Sequence, residues 1–465
     1  MRVKVISRNP SDYLRETKHD IHKVQRNYDP KLHPFAIPRE YQRALNAVKL
    51  EKIFAKPFLG SLDGHSDVVQ CLMKHPSSLS VLVSGAADGE IKIWNIAKRR
   101  CLKTITAHSG IVNGLCPSRG NDYFFSIGDG ATIKQWKYAS TSEEIRMVYE
   151  DDNDSDASEE ETENDDNTPL NTIIGKSVMM GIDHHWEKPI MITCGESVQL
   201  WEESRSEPLQ SLEWGVDTVY KVKFNPVETD LCVSAGSDRS LILYDIKMSK
   251  PLRKVIMALR SNSVCWNPME AFNFTAASED HDLYTFDMRK LSVPLQVHKD
   301  HVSAVIDVDY SPTGKEFVSG SYDKTIRIFP VDKGRSREVY HTKRMQRLTS
   351  VIWSYDSKYV LCGSDEMDIR IWKANASEKI GPRMFREEAA FRYQEKLKEK
   401  FSHHPEIGRI SRHRHVPKHI RHSQQEKRAM LESRKRKEAN RRAHSKPGTV
   451  PYKQERTKHI VTEEE

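Results

Sequence analysis

Seven segments of the chain end in an aromatic residue at nearly equal spacing, which limits the possible fold more than any other feature. The aromatics are Trp94, Trp136, Trp201, Tyr244, Phe286, Phe329 and Trp372, at steps of 42, 65, 43, 42, 43 and 43 residues. Four segments share one frame: a small residue, Asp four places on, and the aromatic six places after that. They are SGAADGEIKIW (84–94), SAGSDRSLILY (234–244), AASEDHDLYTF (276–286) and SGSYDKTIRIF (319–329). SIGDGATIKQW, TCGESVQLW and CGSDEMDIRIW follow it more loosely, and SIGDGATIKQW carries Gly130 where the frame asks for Asp, with Asp129 one place early. A second β-type run ending near Pro precedes most copies, as in VYKVKFNP and AVIDVDYSP, and several copies open on a His.

A period of 40–45 residues with four short strands and an aromatic ending is the signature of the WD repeat. One four-stranded blade cannot bury both its apolar faces. Seven of them close into a ring that also protects the sheet edges. The expected fold is all-β, a seven-bladed WD-repeat β-propeller. Its ring is closed by IFAKPFLGSL (53–62) pairing with blade seven. In such blades the His, the Ser and the Asp link to the Trp indole, which satisfies buried polar groups. Blade one has His65, Ser84, Asp88 and Trp94. Blade six has His301, Ser319 and Asp323, with Phe329 in place of the indole. Ser, His and Asp together also raise the question of a nucleophile with its base. A set that recurs at blade spacing, without a G-x-S-x-G elbow, is read as structural, so no catalytic residue and no enzymatic activity are expected.

Charge is unevenly placed along the 465 residues. Residues 381–460 hold 23 Lys/Arg against 9 Asp/Glu, and residues 150–166 hold 11 acids and no base. The acidic run, which lies in a loop expected at about 140–170, is read as disordered, with Ser158 in a context that acid-directed kinases favour. Residues 1–52 read as a basic arm with a short helix near 38–50, able to wrap a partner or pack on its own propeller. Residues 53–377 form the ring. Residues 378–465 read as a basic extension with helices at 383–401 and 424–444. The second helix is polar all round and is expected to order on a polyanionic partner such as RNA. The candidate RNA-binding and nuclear-targeting residues are Arg409, Arg412, Arg414, Lys418, Arg421, Arg434, Lys435, Arg436, Lys437, Arg441 and Arg442. His403, His404, His413, His415, His419 and His422 raise a zinc reading. Without a nearby Cys or a finger-like spacing, no metal and no cofactor are expected, and these histidines are read as protonatable, base-stacking residues of an RNA-binding segment. Seven scattered cysteines without a C-x-x-C pair read as reduced thiols. No run of about 18 apolar residues marks a membrane span, and MRVKVISRNPSDYLRETKHD has no apolar stretch of a secretory signal.

SRNPSDYLRETKHD, LHPFAIPREYQRALNAVKLEKIFAKPFL, GIDHHW, WNPMEAFNFTAASED, CGSDEMDIRIWKANASEK and RHRHVPKHI closely resemble the Sof (suppressor of fibrillarin) family. Its animal members are also called DDB- and cullin-associated factors. The resemblance spans nearly the whole chain, the acidic loop excepted. It implies a nucleolar scaffold of the small-subunit processome, working with pre-ribosomal RNA, the U-three small nucleolar RNA particle and other processome proteins. For animal members it also implies a receptor role in a DDB–cullin–RING ubiquitin ligase. Such receptors dock through an aromatic-Asp-x-Arg motif. FDMR matches it with Phe286, Asp287 and Arg289, whereas YDIK departs from it at Lys247. Asp287 and Arg289 are read either as this contact or as an ion pair of the blade turn.

Overall fold

The computed structural model describes residues 30–32, 34–118, 120, 122–138, 168–215, 218–248 and 250–464. The acidic run with Ser158, and the arm before residue 30, lie outside the described residues. Contacts divide the chain into two compact units. One joins the N-terminal segment to residues 379–413; the other holds residues 56–378 and 414–465.

The larger unit contains seven sheets, each built on four antiparallel strands. Blade one runs Val69–Lys74, Val81–Ala86, Glu90–Asn95 and Arg100–Thr106, from the inside outwards. Its second strand is buried at all six positions, because neighbouring blades cover both its faces. Side chains of adjacent blades form shared cores. Trp94 packs with Leu62, Val69, Ile352 and Ile369 at the seam of blades seven and one. Phe329 packs with Leu283, Val305 and Phe317 between blades five and six. Gly320 allows blades six and seven to approach closely, since a Cβ there would strike the Val351 side chain of blade seven.

The ring closes as the sequence implies. Phe58–Leu62 is the outer strand of blade seven and pairs antiparallel with Ile369–Lys373, with Leu62 opposite Ile369. Blade four carries a fifth strand that sequence reasoning did not foresee. Ile460–Glu464, near the end of the chain, pairs with Arg253–Met257, with Thr462 opposite Ile256.

The smaller unit is helical. Helix α1 spans Ala36–Ile53, α2 Phe385–Lys400 and α3 Pro405–Arg412. Their core is Ala44, Val48, Leu397 and Ile407, with Tyr41, Leu45, Phe401 and Ile410 against it. Tyr41 donates to Glu406 at 2.8 Å, and Lys398 pairs with Glu51 at 2.8 Å. The sequence reading assigns these helices to separate appendages; apolar positions too sparse for either to fold alone become a core when combined. Helix α3 falls in the stretch between the two helices expected in the extension. Helix α4, Lys418–Ala443, begins six residues earlier than expected. No helix among the described residues is long and apolar enough to cross a membrane.

Candidate functional site

The Ser/His pairs of blades one and six are buried, as is Asp323, whereas Asp88 is half-buried. In blade one, Ser84 Oγ sits 2.6 Å from His65 Nε2 and accepts from Trp94 Nε1–H at 2.7 Å. Ser84 is fully buried. Burial, helped by the nearby Lys92, lowers the His65 imidazole to about 4, so it is neutral at physiological pH. Asp88 does not complete the set. It accepts from Ser66 Oγ and from the Glu90 N–H, leaving His65 Nδ1 buried without a partner. His65, Asp88 and Glu90 offer atoms within 4.8 Å of one another, but Lys92 Nζ already sits 3.3 Å from Glu90 as the local cation.

Blade six differs. His301 Nδ1 lies 2.9 Å from Asp323 Oδ2, and its Nε2 lies 2.7 Å from Ser319 Oγ. Burial would raise the Asp323 carboxyl, but His301, Arg327 and Thr325 hold it well below the usual range. Asp323 also accepts from the Val302 and Thr325 N–H groups. Asp323→Ala leaves all these donors buried and unpaired, so a loss of about 3 kcal/mol is expected. Asp88→Ala, which detaches no histidine, should cost clearly less. Melting curves of the two variants check the order.

Sequence reasoning missed the same device elsewhere. In blade two, His108 Nε2 and Trp136 Nε1 both reach Ser126 Oγ, at 2.8 and 2.9 Å, without an Asp in frame. Trp201 donates to Thr193 Oγ1 at 2.8 Å in blade three, and Trp372 to Cys362 Sγ at 3.4 Å in blade seven. The indole needs only an acceptor at the strand partner, and Ser, Thr and Cys all supply one.

Inside the ring, a cavity of 490 Å³ is lined by inner-strand residues. Two of its lysines are partnered, Lys74 with Asp309 at 2.8 Å and Lys223 with Asp183 at 2.7 Å, while Lys221 also lines it. Burial pushes the Cys71, Cys194 and Cys265 thiols up to about 12, so they are poor nucleophiles.

The FDMR segment lies at the end of the third strand of blade five. Phe286 is buried in the blade core. Arg289 makes a two-pronged contact to Asp287, with Nη2 at 2.8 Å and Nε at 3.0 Å. Its guanidinium also lies over the Phe272 ring at 4.3 Å, and 63% of the side chain remains exposed. A planar cation is thus held in one orientation at the surface. Lys247 of YDIK is instead tied to Asp230 at 2.6 Å.

The eleven basic candidates separate by partner and by unit. In the helical unit, Arg409 and Arg412 line a 540 Å³ surface cavity together with His403, His404 and His413. In the propeller unit, Arg414 is half-buried, donates to the Arg337 carbonyl at 3.0 Å and faces Asp300. Lys435 pairs with Glu455 at 3.2 Å, and Arg442 lies over the Tyr452 ring at 4.9 Å. Lys418, Arg421, Arg434, Arg436, Lys437 and Arg441 are exposed, and have no ion-pair partner among the described residues. The expectation that the second basic helix orders only on an external partner is corrected. Helix α4 is held by its own propeller, through buried Ile420, through Gln424 to the Asp300 carbonyl, and through Lys427 to Asp282.

These features define a seven-bladed WD-repeat propeller whose recurring Ser/His sets are structural and which carries an anchored basic helix. Profiles of the WD domain, G-beta repeat, match residues 56–95, 99–137, 292–329 and 338–373, and the Sof1-like domain matches residues 374–460. The WD40 β-propeller domain of Doa1 superposes with a TM-score of 0.55 at 18% identity, over 68% of this chain and 96% of that one, and shows the fold alone. The chain is 57% identical to DDB1- and CUL4-associated factor 13 of Xenopus tropicalis and 58% identical to that of Homo sapiens, over 99% of both chains in each case. It is 45% identical to Protein SOF1 of Saccharomyces cerevisiae, over 99% of this chain and 94% of that one. The chain belongs to the family of these proteins.

Proposed function

We propose that this protein is a non-enzymatic scaffold of the small-subunit processome, acting in small-subunit rRNA processing in the nucleolus. The observation that carries the reading is the joint presence of a rigid ring and an anchored helix with six unpaired, exposed cations. The full-length likeness to Protein SOF1 supports it. The rigid ring offers surfaces for protein neighbours, and the cationic helix offers one for pre-ribosomal RNA. Depletion of the protein should make unprocessed small-subunit precursors accumulate, read by hybridisation against precursor spacers. Normal processing after complete depletion would contradict the proposal.

A second reading rests on Arg289. The relatives are named for association with DDB1 and CUL4, and the fixed guanidinium at the end of FDMR suits a carboxylate or carbonyl on an adaptor. Arg289→Ala is expected to reduce co-purification of the adaptor severalfold while leaving the melting temperature nearly unchanged, since the side chain is largely exposed. Unchanged co-purification would return Arg289 to the blade turn.

A further inference from the structure

Helix α4 has unlike flanks. Ile420, Gln424, Lys427, Lys435, Glu438 and Arg442 recur at helical spacing and face the chain itself. The upper part of this flank meets blades five and six at Asp282, Asp300 and the His301 carbonyl. The lower part meets the returning segment: Lys435 with Glu455, Glu438 with Lys458 at 2.6 Å, and Arg442 over Tyr452. That segment is tied down in turn. Lys299 pairs with Glu455 at 3.0 Å, His459 lies 3.2 Å from Asp280, and Ile460–Glu464 joins blade four. The helix is therefore a fixed rod, about 39 Å long at 1.5 Å per residue.

The unpaired cations are spread round the rest of the helix, Lys418, Arg421 and Arg436 on one side and a stripe of three on another. Arg434, Lys437 and Arg441 follow at i, i+3 and i+7, one stripe about 10 Å long. Four of the six unpaired cations are arginines, whose planar fork takes a phosphate through two hydrogen bonds. Residues 434–441 contain no Phe, Tyr, Trp or His, and His419 and His422 lie about 18 Å or more up the helix from Arg434. Proteins that hold single strands combine basic grooves with aromatic platforms on which bases stack, and this stripe of the helix carries none. A straight rod also cannot follow a flexible strand, whereas a duplex presents phosphates already ordered on its surface.

We propose that the exposed flank of α4 is a docking surface for double-helical RNA, engaged through its phosphates and independent of base sequence. The proposal rests on the reading that the protein binds RNA. The test is fluorescence anisotropy of the full-length protein with an RNA duplex of arbitrary sequence, with a single strand of equal length, and with a second duplex of different sequence. Salt is varied over about 50–200 mM. Polyglutamate serves as an acidic-protein probe. The variant replaces Arg434, Arg436, Lys437 and Arg441 together by Gln, which keeps helix propensity; circular dichroism reports folding. The duplexes should bind alike and about tenfold tighter than the single strand. The variant should lose at least tenfold in duplex affinity and flatten the salt slope by roughly 0.9 per contact removed, the value for B-form duplexes. A single strand that binds as tightly as the duplex overturns the proposal but leaves the RNA reading standing. Duplex binding unchanged in the variant overturns it as well. Polyglutamate bound as tightly as the duplex makes this flank a protein surface and also overturns it. If the intact protein binds neither RNA, the RNA reading falls with it.

Discussion

Trp94→Ala is expected to lower stability by about 3–5 kcal/mol, enough to leave much of the protein unfolded at 37 °C. Three losses coincide. The indole is only 1% exposed, so its removal opens a large cavity. That cavity lies at the seam where Phe58–Leu62 closes the ring, among Leu62, Ile352 and Ile369. Ser84 Oγ also loses the donor that fixes it beside His65. Trp94→Phe separates these effects, because blade six carries Phe329 at the same place. The ring volume is mostly kept and one hydrogen bond is lost, which costs about 1 kcal/mol plus a small void. Thermal melting should therefore rank wild type, Trp94→Phe and Trp94→Ala in that order, with a wide gap before the last. Equal melting of the two variants would show that the seam tolerates a cavity, and that the hydrogen bond alone matters.

Acid should destabilise the ring well before its carboxylates titrate. Burial lowers the His65, His108 and His298 imidazoles from the ordinary 6.5 to about 4. The buried His301 is lowered in the same direction. As pH falls, the unfolded chain binds these protons first, so it is favoured between about 6.5 and 4. The stabilisation is complete above pH 6.5, is lost steadily through that window and levels off below it. Asp323, held low, adds a loss only at more acid pH. The melting temperature should fall by roughly 10 °C from pH 7 to pH 4.5, because several buried histidines act together. A flat profile over that window would mean that the interiors of the blades open to water.

The ring was legible because its determinants are local and repeated. Spacing of the seven aromatics set the blade count, and IFAKPFLGSL marked the closing strand. The polar sets were legible only where Ser, His, Asp and Trp all matched the frame. Thr193 and Cys362 serve the same indole contact but change residue type, and Asp88 fits the frame yet bonds elsewhere. The anchored flank of α4 was invisible to hydrophobic periodicity, since five of its six contact residues are polar. The strand IVTEE was hidden for another reason: three of its five residues are polar, and its partner lies about two hundred residues earlier. Helix α3 carries Gly408 inside, which lowers its propensity, although Pro405 suits its first turn. Ile407 forms it by entering the core of Ala44 and Val48.

The central claim is that the basic helix joins this propeller to small-subunit precursor RNA. Ultraviolet crosslinking in cells, with sequencing of the bound RNA and mass spectrometry of the crosslinked peptide, tests it most directly. The account predicts small-subunit pre-ribosomal RNA crosslinked to peptides within 418–443, and loss of most of that signal when Arg434, Arg436, Lys437 and Arg441 are replaced by Gln. Recovery of RNA without small-subunit precursor sequences, or crosslinks that persist on the propeller after that replacement, would contradict it.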